Sequence, residues 1–162
     1  ISKATRRFTQ DSARDVLRKF RTLFATVKAH FSEVEKRCGL GGSQLWALAE
    51  VASDPGKSVQ ALSDALLVHQ STASNLVERL VESGLITRKR STQDRRQVRL
   101  HPTAKGLRLL AKAPAPVMGV LPDALERLPR PVLKALDQNM SALIHTMKRK
   151  KRGSESRPLS DL

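Results

Sequence analysis

Between Ser71 and Thr103 the chain gathers side chains suited to one kind of chemistry, hydrogen bonding to base edges and phosphates. In STASNLVERLVESGL the short polar groups of Ser71, Thr72, Ser74 and Asn75 share a side with Arg79. Small hydroxyls allow close approach to a polyanion, while an amide and a guanidinium can each bond a base edge in bidentate fashion. A merely solvated face is more often rich in Glu and Lys. Downstream, RKRSTQDRR and the following QVR place Arg88, Lys89, Arg90, Arg95, Arg96 and Arg99 in one short stretch with Asp94 as its only acid, a concentrated positive field. Arginine fits a narrow, electronegative minor groove. Asp94, two residues before Arg96, can orient that guanidinium through a bidentate ion pair.

The elements that must hold these groups follow from periodicity. Leu76, Val77, Leu80 and Val81 recur on a helical period, predicting an amphipathic helix over Ser71–Ser83 with its polar side outward. Gly84 stands where a left-handed C-terminal residue is wanted, and Leu85-Ile86-Thr87 turns the pattern extended. Gln97-Val98-Arg99-Leu100 alternates as a half-buried returning strand, so the basic run is the tip of a hairpin. Upstream, Ser58 is an N-cap for a helix with Val59, Leu62, Ala65 and Leu66 on one side. Ser43 is read as the cap of a further helix carrying Leu45, Leu48, Ala49 and Ala52, with Trp46 beside them, that ends at Asp54-Pro55-Gly56. Two short helices, a third polar one and a basic hairpin make a winged helix-turn-helix.

The segment from about Ser43 to Leu110 resembles the MarR family of bacterial transcriptional regulators. LSDALLVHQSTASNLVERLVESGLITR corresponds to the helix-turn-helix and first wing strand, DRRQVRL to the wing, and TAKG to the start of the next helix. The resemblance implies that Ser71, Thr72, Ser74, Asn75 and Arg79 face the major groove, that Arg96 enters the minor groove, and that Asp94 holds Arg96. It also implies a homodimer on a pseudo-palindromic operator and release by a small ligand. A pocket for an apolar or phenolic anion would lie between the dimer helices and the DNA-binding lobe, with Phe31 and Trp46 among its liners. Two departures stand out. Leu67 occupies the helix-to-helix turn where the family often has Gly, and Pro114 and Pro116 interrupt the segment where relatives carry a long dimerisation helix, so a kinked or broken dimer arm is expected.

Flanking this core, Val16, Leu17, Phe20, Leu23, Phe24, Val27, Phe31 and Val34 form one long helical stripe from Ala13 onward. Pro131 suits a first turn, and Val132, Leu133, Leu136, Met140, Leu143, Ile144 and Met147 form a second stripe up to the basic run Lys148–Arg152. These stripes are the expected dimer surfaces. The chain divides into an N-terminal dimerisation helix (1–41), a winged helix-turn-helix (42–112), a C-terminal helical dimerisation segment (113–152) and a flexible tail (153–162). The fold class is mainly α with a small β-hairpin wing. Formal net charge is +15, and nine basic residues lie in His69–Arg108 against three acids, so the positive field belongs to the core as well as the tail. No run is long enough to span a membrane, and a cytoplasmic protein is expected.

Other chemistry finds little footing. Cys38 is the single cysteine, which excludes an internal disulfide and a thiolate zinc cluster; Lys36 and Arg37 beside it are compatible with either a reactive or an inert thiol. His30, His69, His101 and His145 show no metal-ligand spacing, and His69, just ahead of the polar helix, suits capping or a phosphate contact. No Gly-rich phosphate loop, paired-carboxylate motif or nucleophile elbow is present, so neither an enzyme nor a cofactor is expected. The sequence is best explained by a site-specific, double-stranded-DNA-binding regulator, most simply a dimeric repressor. The competing explanation is a winged-helix architectural or protein-interaction module that reads no site.

Overall fold

A computed structural model describes residues 3–90 and 98–147, with the side chains of 11–90 and 98–147. Helix α1 (Lys3–Cys38) leads into α2 (Gly42–Ser53), α3 (Val59–Leu66) and α4 (Gln70–Glu82); the hairpin β1 (Ile86–Arg90) and β2 (Val98–Pro102) follows; α5 (Ala104–Leu110), α6 (Val120–Glu126) and α7 (Arg130–Thr146) complete the described chain. The mainly α class with one hairpin holds. The core lies where α2, α3, α4 and the hairpin base converge, around the fully buried Leu45, Leu48, Leu62, Val77, Leu80, Ile86 and Leu100. From α1 only its C-terminal end reaches that core, through Val34.

Local signals explain most element ends. The Ser58 hydroxyl accepts the Ala61 amide at 3.1 Å and starts α3. At the end of α4 the Gly84 amide reaches the Val81 carbonyl (2.9 Å) and the Leu85 amide reaches that of Leu80 (2.9 Å), a Schellman closure that needs the left-handed φ of 67° at Gly84. Thr103 caps α5 through the Gly106 amide at 3.0 Å, and its own hydroxyl donates to the Gly84 carbonyl at 2.8 Å, so α5 starts locked to the end of α4. Ser43, however, does not cap α2. The N-cap is Gly41, whose amide donates to Gln44 Oε1 at 3.0 Å, because a glutamine three residues on can reach back to that N–H.

The long N-terminal helix begins at Lys3, ahead of the apolar stripe that starts near Ala13. The turn between α3 and α4 has no glycine, yet Leu67 itself takes the left-handed conformation (φ 55°, ψ 41°) with its side chain 76% exposed. The break expected at Pro114 and Pro116 is present: α5 stops at Leu110, and the chain resumes helix only at α6 and then α7.

Candidate nucleic-acid interface

Helix α4 buries Ala73, Leu76, Val77 and Leu80 and leaves the opposite side to solvent. Ser71, Asn75 and Arg79 are exposed on that side one turn apart, whereas Thr72 and Ser74 are half-buried on its flanks. The same exposed stripe continues with Glu78 and Glu82, two acids whose significance the sequence reading passed over. A carboxylate repels phosphate, so only the first two turns of α4 offer a neutral polar face. Gln70 opens that face, exposed at the first position of the helix, with an amide as able to bond adenine as that of Asn75. His69 is the N-cap by its extended backbone, but its side chain makes no cap hydrogen bond, so its capping role is not realised.

Beside α4 the hairpin pairs Arg88 with Leu100, Lys89 with Arg99 and Arg90 with Val98. Arg88 and Arg90 share a face with buried Ile86 and Leu100, and leave the core as exposed cations; Lys89 and Arg99 stand opposite each other on the other face. The hairpin base is tied to α2 by a third short run. The Gly56 amide donates to the Leu100 carbonyl at 2.7 Å, the Leu100 amide to Lys57 at 3.0 Å, and Arg99 Nη1 to the Gly56 carbonyl at 3.2 Å. Gly56 has a φ of 99°, which lets the turn at Asp54-Pro55-Gly56 meet β2 edge-on. Lys57 in turn bonds Glu50 Oε2 at 2.8 Å, and Glu50 Oε1 receives the Trp46 indole N–H at 3.3 Å. The wing is thus fixed to the helix that buttresses α4. Asp94, Arg95 and Arg96 lie outside the described residues.

The two aromatic residues expected to line a ligand pocket are each engaged in packing. The Phe31 ring packs directly over Gly42, where no Cβ would fit, and Trp46 is engaged with Glu50 and packed on the core. An open cleft of about 380 Å³ lies elsewhere, between the end of α1, the end of α4 and α5; Cys38, Leu40, Lys105 and Arg108 are among its liners. Burial pushes the Cys38 thiol above its ordinary pKa, against a smaller opposing pull from Arg37, which disfavours a reactive thiolate. Among the described residues no cluster of His, Cys, Asp or Glu is placed to hold a metal, and no helix is long and apolar enough to cross a membrane.

A recognition-type helix with a polar N-terminal half, a supporting helix turned onto it through Leu67, and a basic hairpin anchored to the same core define a winged helix-turn-helix. Comparison with known proteins places it more narrowly. Residues 39–97 match the MarR family. A Thauera aromatica protein named as a transcriptional regulatory protein for hcr operon is 40% identical over 81 residues, 50% of this chain and 49% of that one, so the chain spans about half the length of that relative. The fold is similar to a MarR family protein from Bacillus stearothermophilus (TM-score 0.53, 21% identity, 86% of this chain and 98% of that one). It is also similar to Streptococcus pneumoniae FabT, solved in complex with DNA (TM-score 0.54, 18% identity, 85% and 95% covered). The family match thus covers the winged helix-turn-helix, and the likeness of fold extends over most of the chain.

Proposed function

We propose that this protein is a transcriptional regulator that binds a pseudo-palindromic operator as a homodimer and represses by occluding the promoter. The observation that carries the reading is the pairing of an exposed neutral polar face, Gln70, Ser71 and Asn75, with the exposed cations Arg88, Lys89 and Arg90 of the hairpin. The first-turn amides of α4 have no partner within the helix and receive no side-chain cap, a favourable place for a phosphate or base edge. Like charges directly opposite, as at Lys89 and Arg99, repel across a hairpin, and a nucleic-acid backbone offsets that repulsion. In this reading Ser71, Asn75 and Arg79 reach base edges, with Thr72 and Ser74 supporting at the flanks. Arg88, Arg90, Arg95 and Arg96 engage phosphate and minor groove, and Asp94 orients Arg96. Release by a small anion acts through dimer geometry, moving the two recognition helices off a spacing of about 34 Å.

Selection of bound duplexes from a random-sequence pool at near-physiological salt tests this. An enriched inverted repeat with half-sites about one helical turn apart is the expected result. Binding with no enriched motif would leave the architectural reading. On the selected site, Asn75→Ala should reduce affinity by about 1–3 kcal/mol and relax one base position, with a much smaller effect on random duplex.

A further inference from the structure

The ion pair between Lys57 and Glu50 differs in kind from those on the helix surfaces. Arg14–Asp11 and Arg18–Asp15 join neighbouring turns of α1 with side chains more than half exposed, and pairs of that sort contribute little. Lys57–Glu50 crosses from α2 to the short run beside the hairpin, with side chains only 11% and 23% exposed. Both carboxylate oxygens are engaged: the Lys57 ammonium donates to Oε2 at 2.8 Å, and the Trp46 indole N–H donates to Oε1 at 3.3 Å. What Lys57 holds gives the pair its interest. Leu100 of β2 pairs with Lys57 on one side and with Arg88 of β1 on the other, so the three residues form one row across three strands. Residues paired across antiparallel strands share a face. In this row Leu100 is fully buried, Lys57 reaches Glu50, and Arg88 ends in an exposed cation. One end of the row is thus fastened to α2, and the other carries a wing charge.

We propose that Glu50 is a positioning residue for DNA binding: by fixing Lys57 it sets the aim of the hairpin relative to α4, so that Arg88 and the α4 face meet one duplex together. The inference rests on the regulatory reading above and adds to it a residue that acts on the duplex only through Lys57 and β2. A wing aimed before binding loses less conformational freedom on binding, and that saving appears as affinity. Glutamine at position 50 would keep the shape but offer one oxygen and an NH2 group, so either the Lys57 ammonium or the Trp46 N–H would face another donor. The backbone bonds between residues 56–57 and Leu100 do not involve the carboxylate, so the strand pairing survives while its aim against α2 loosens.

The test is a pair of double-mutant cycles on the full chain, read as affinity for the selected duplex. Glu50→Gln is combined in one cycle with Arg88→Ala on the wing and in the other with Asn75→Ala on α4. Each single substitution should weaken binding about tenfold. With Arg88→Ala the double variant should lose no more than about threefold beyond the weaker single, because the aim of the row no longer matters once its cation is gone. With Asn75→Ala the losses should multiply to about a hundredfold, since that contact does not depend on the wing. A role in stability alone would multiply with both partners alike, and that outcome overturns the proposal, as does wild-type affinity in Glu50→Gln. Lys57→Met breaks the same pair from its other side and should reproduce both cycles, so the question stays decidable if circular dichroism shows Glu50→Gln to be unfolded. Losses that multiply with Arg88→Ala in the Lys57→Met background would equally overturn it. Arg88 neutralises phosphate on random duplex as well, so the first cycle can be read there. Failed selection with that coupling intact removes the site-specific reading alone, and successful selection with multiplying losses removes the positioning role alone.

Discussion

Leu67 is held in a backbone conformation that costs a side chain about 1–2 kcal/mol, and with 76% of its surface exposed it recovers little by packing. Glycine there would remove the strain while adding some unfolded-state freedom. We expect Leu67→Gly to stabilise the protein by about 0.5–1 kcal/mol, raising the thermal midpoint by about 2–3 °C in calorimetry; a lower midpoint would contradict the strain. Cys38 presents the opposite case, a residue whose setting suppresses chemistry. Burial raises the thiol pKa, so the thiolate becomes abundant only above the pH at which a free cysteine ionises. Its alkylation by iodoacetamide should be slower than that of a cysteine peptide at pH 8, with a pH–rate midpoint displaced upward. A midpoint below that of the peptide would make it a sensor thiol. The sign for stability follows: the unfolded chain ionises first, so Cys38 contributes a loss of stability as pH rises past the ordinary cysteine value. Single residues were legible where one interaction decides, as at Ser58 and Gly84. They were not where two compete, as when Gln44 takes the start of α2 away from Ser43.

Between elements, the tightest seam is that of α5 against the entry to the hairpin. A Cβ on Gly106 would overlap the Leu85 carbonyl oxygen and crowd Leu48, so only glycine lets α5 lie this close to the strand entering the wing. The obstacle is backbone and cannot rotate away. We therefore expect Gly106→Ala to cost about 2–3 kcal/mol in urea unfolding, comparable with overpacking a core, and an unchanged midpoint would show that α5 can slide. Nothing in TAKG announces this contact, because close approach of two elements is a property of three dimensions. By contrast, α3, α4 and the hairpin strands could be read directly, since each buries one face and alternates with the period of its own geometry. The fate of the dimer arm was legible only in part: proline forbids helix near Pro114, but the restart at α6 depends on how that segment packs against α1.

For the whole molecule the unresolved balance is apolar surface. In α7 no residue is buried and only Met140 is half-buried, while Val132, Leu133, Leu136, Leu143, Ile144 and Met147 stay exposed; α1 adds Val16, Leu17, Leu23 and Phe24. Covering the open part of each such side chain is worth about 1 kcal/mol, and ten of them together rival the entropic cost of association. A second copy presents the same two stripes and can cover both, a self-complementary arrangement. Leu136→Asp/Ile144→Asp should therefore sediment as a monomer at micromolar concentration with its helical circular dichroism largely kept; a persistent dimer would place the interface elsewhere. The same variant makes the electrostatics measurable. Each bound chain releases counterions in proportion to the phosphates it neutralises, so the logarithm of the binding constant falls with the logarithm of salt at a slope of about −0.9 per contact. With a net charge of +15 per chain, the wild type should show a steep slope. The monomeric variant should show about half of it on the same duplex, because one winged helix engages one half-site. Equal slopes would mean that the cations act from a single chain in both proteins, and that dimerisation serves some purpose other than placing two wings on one operator.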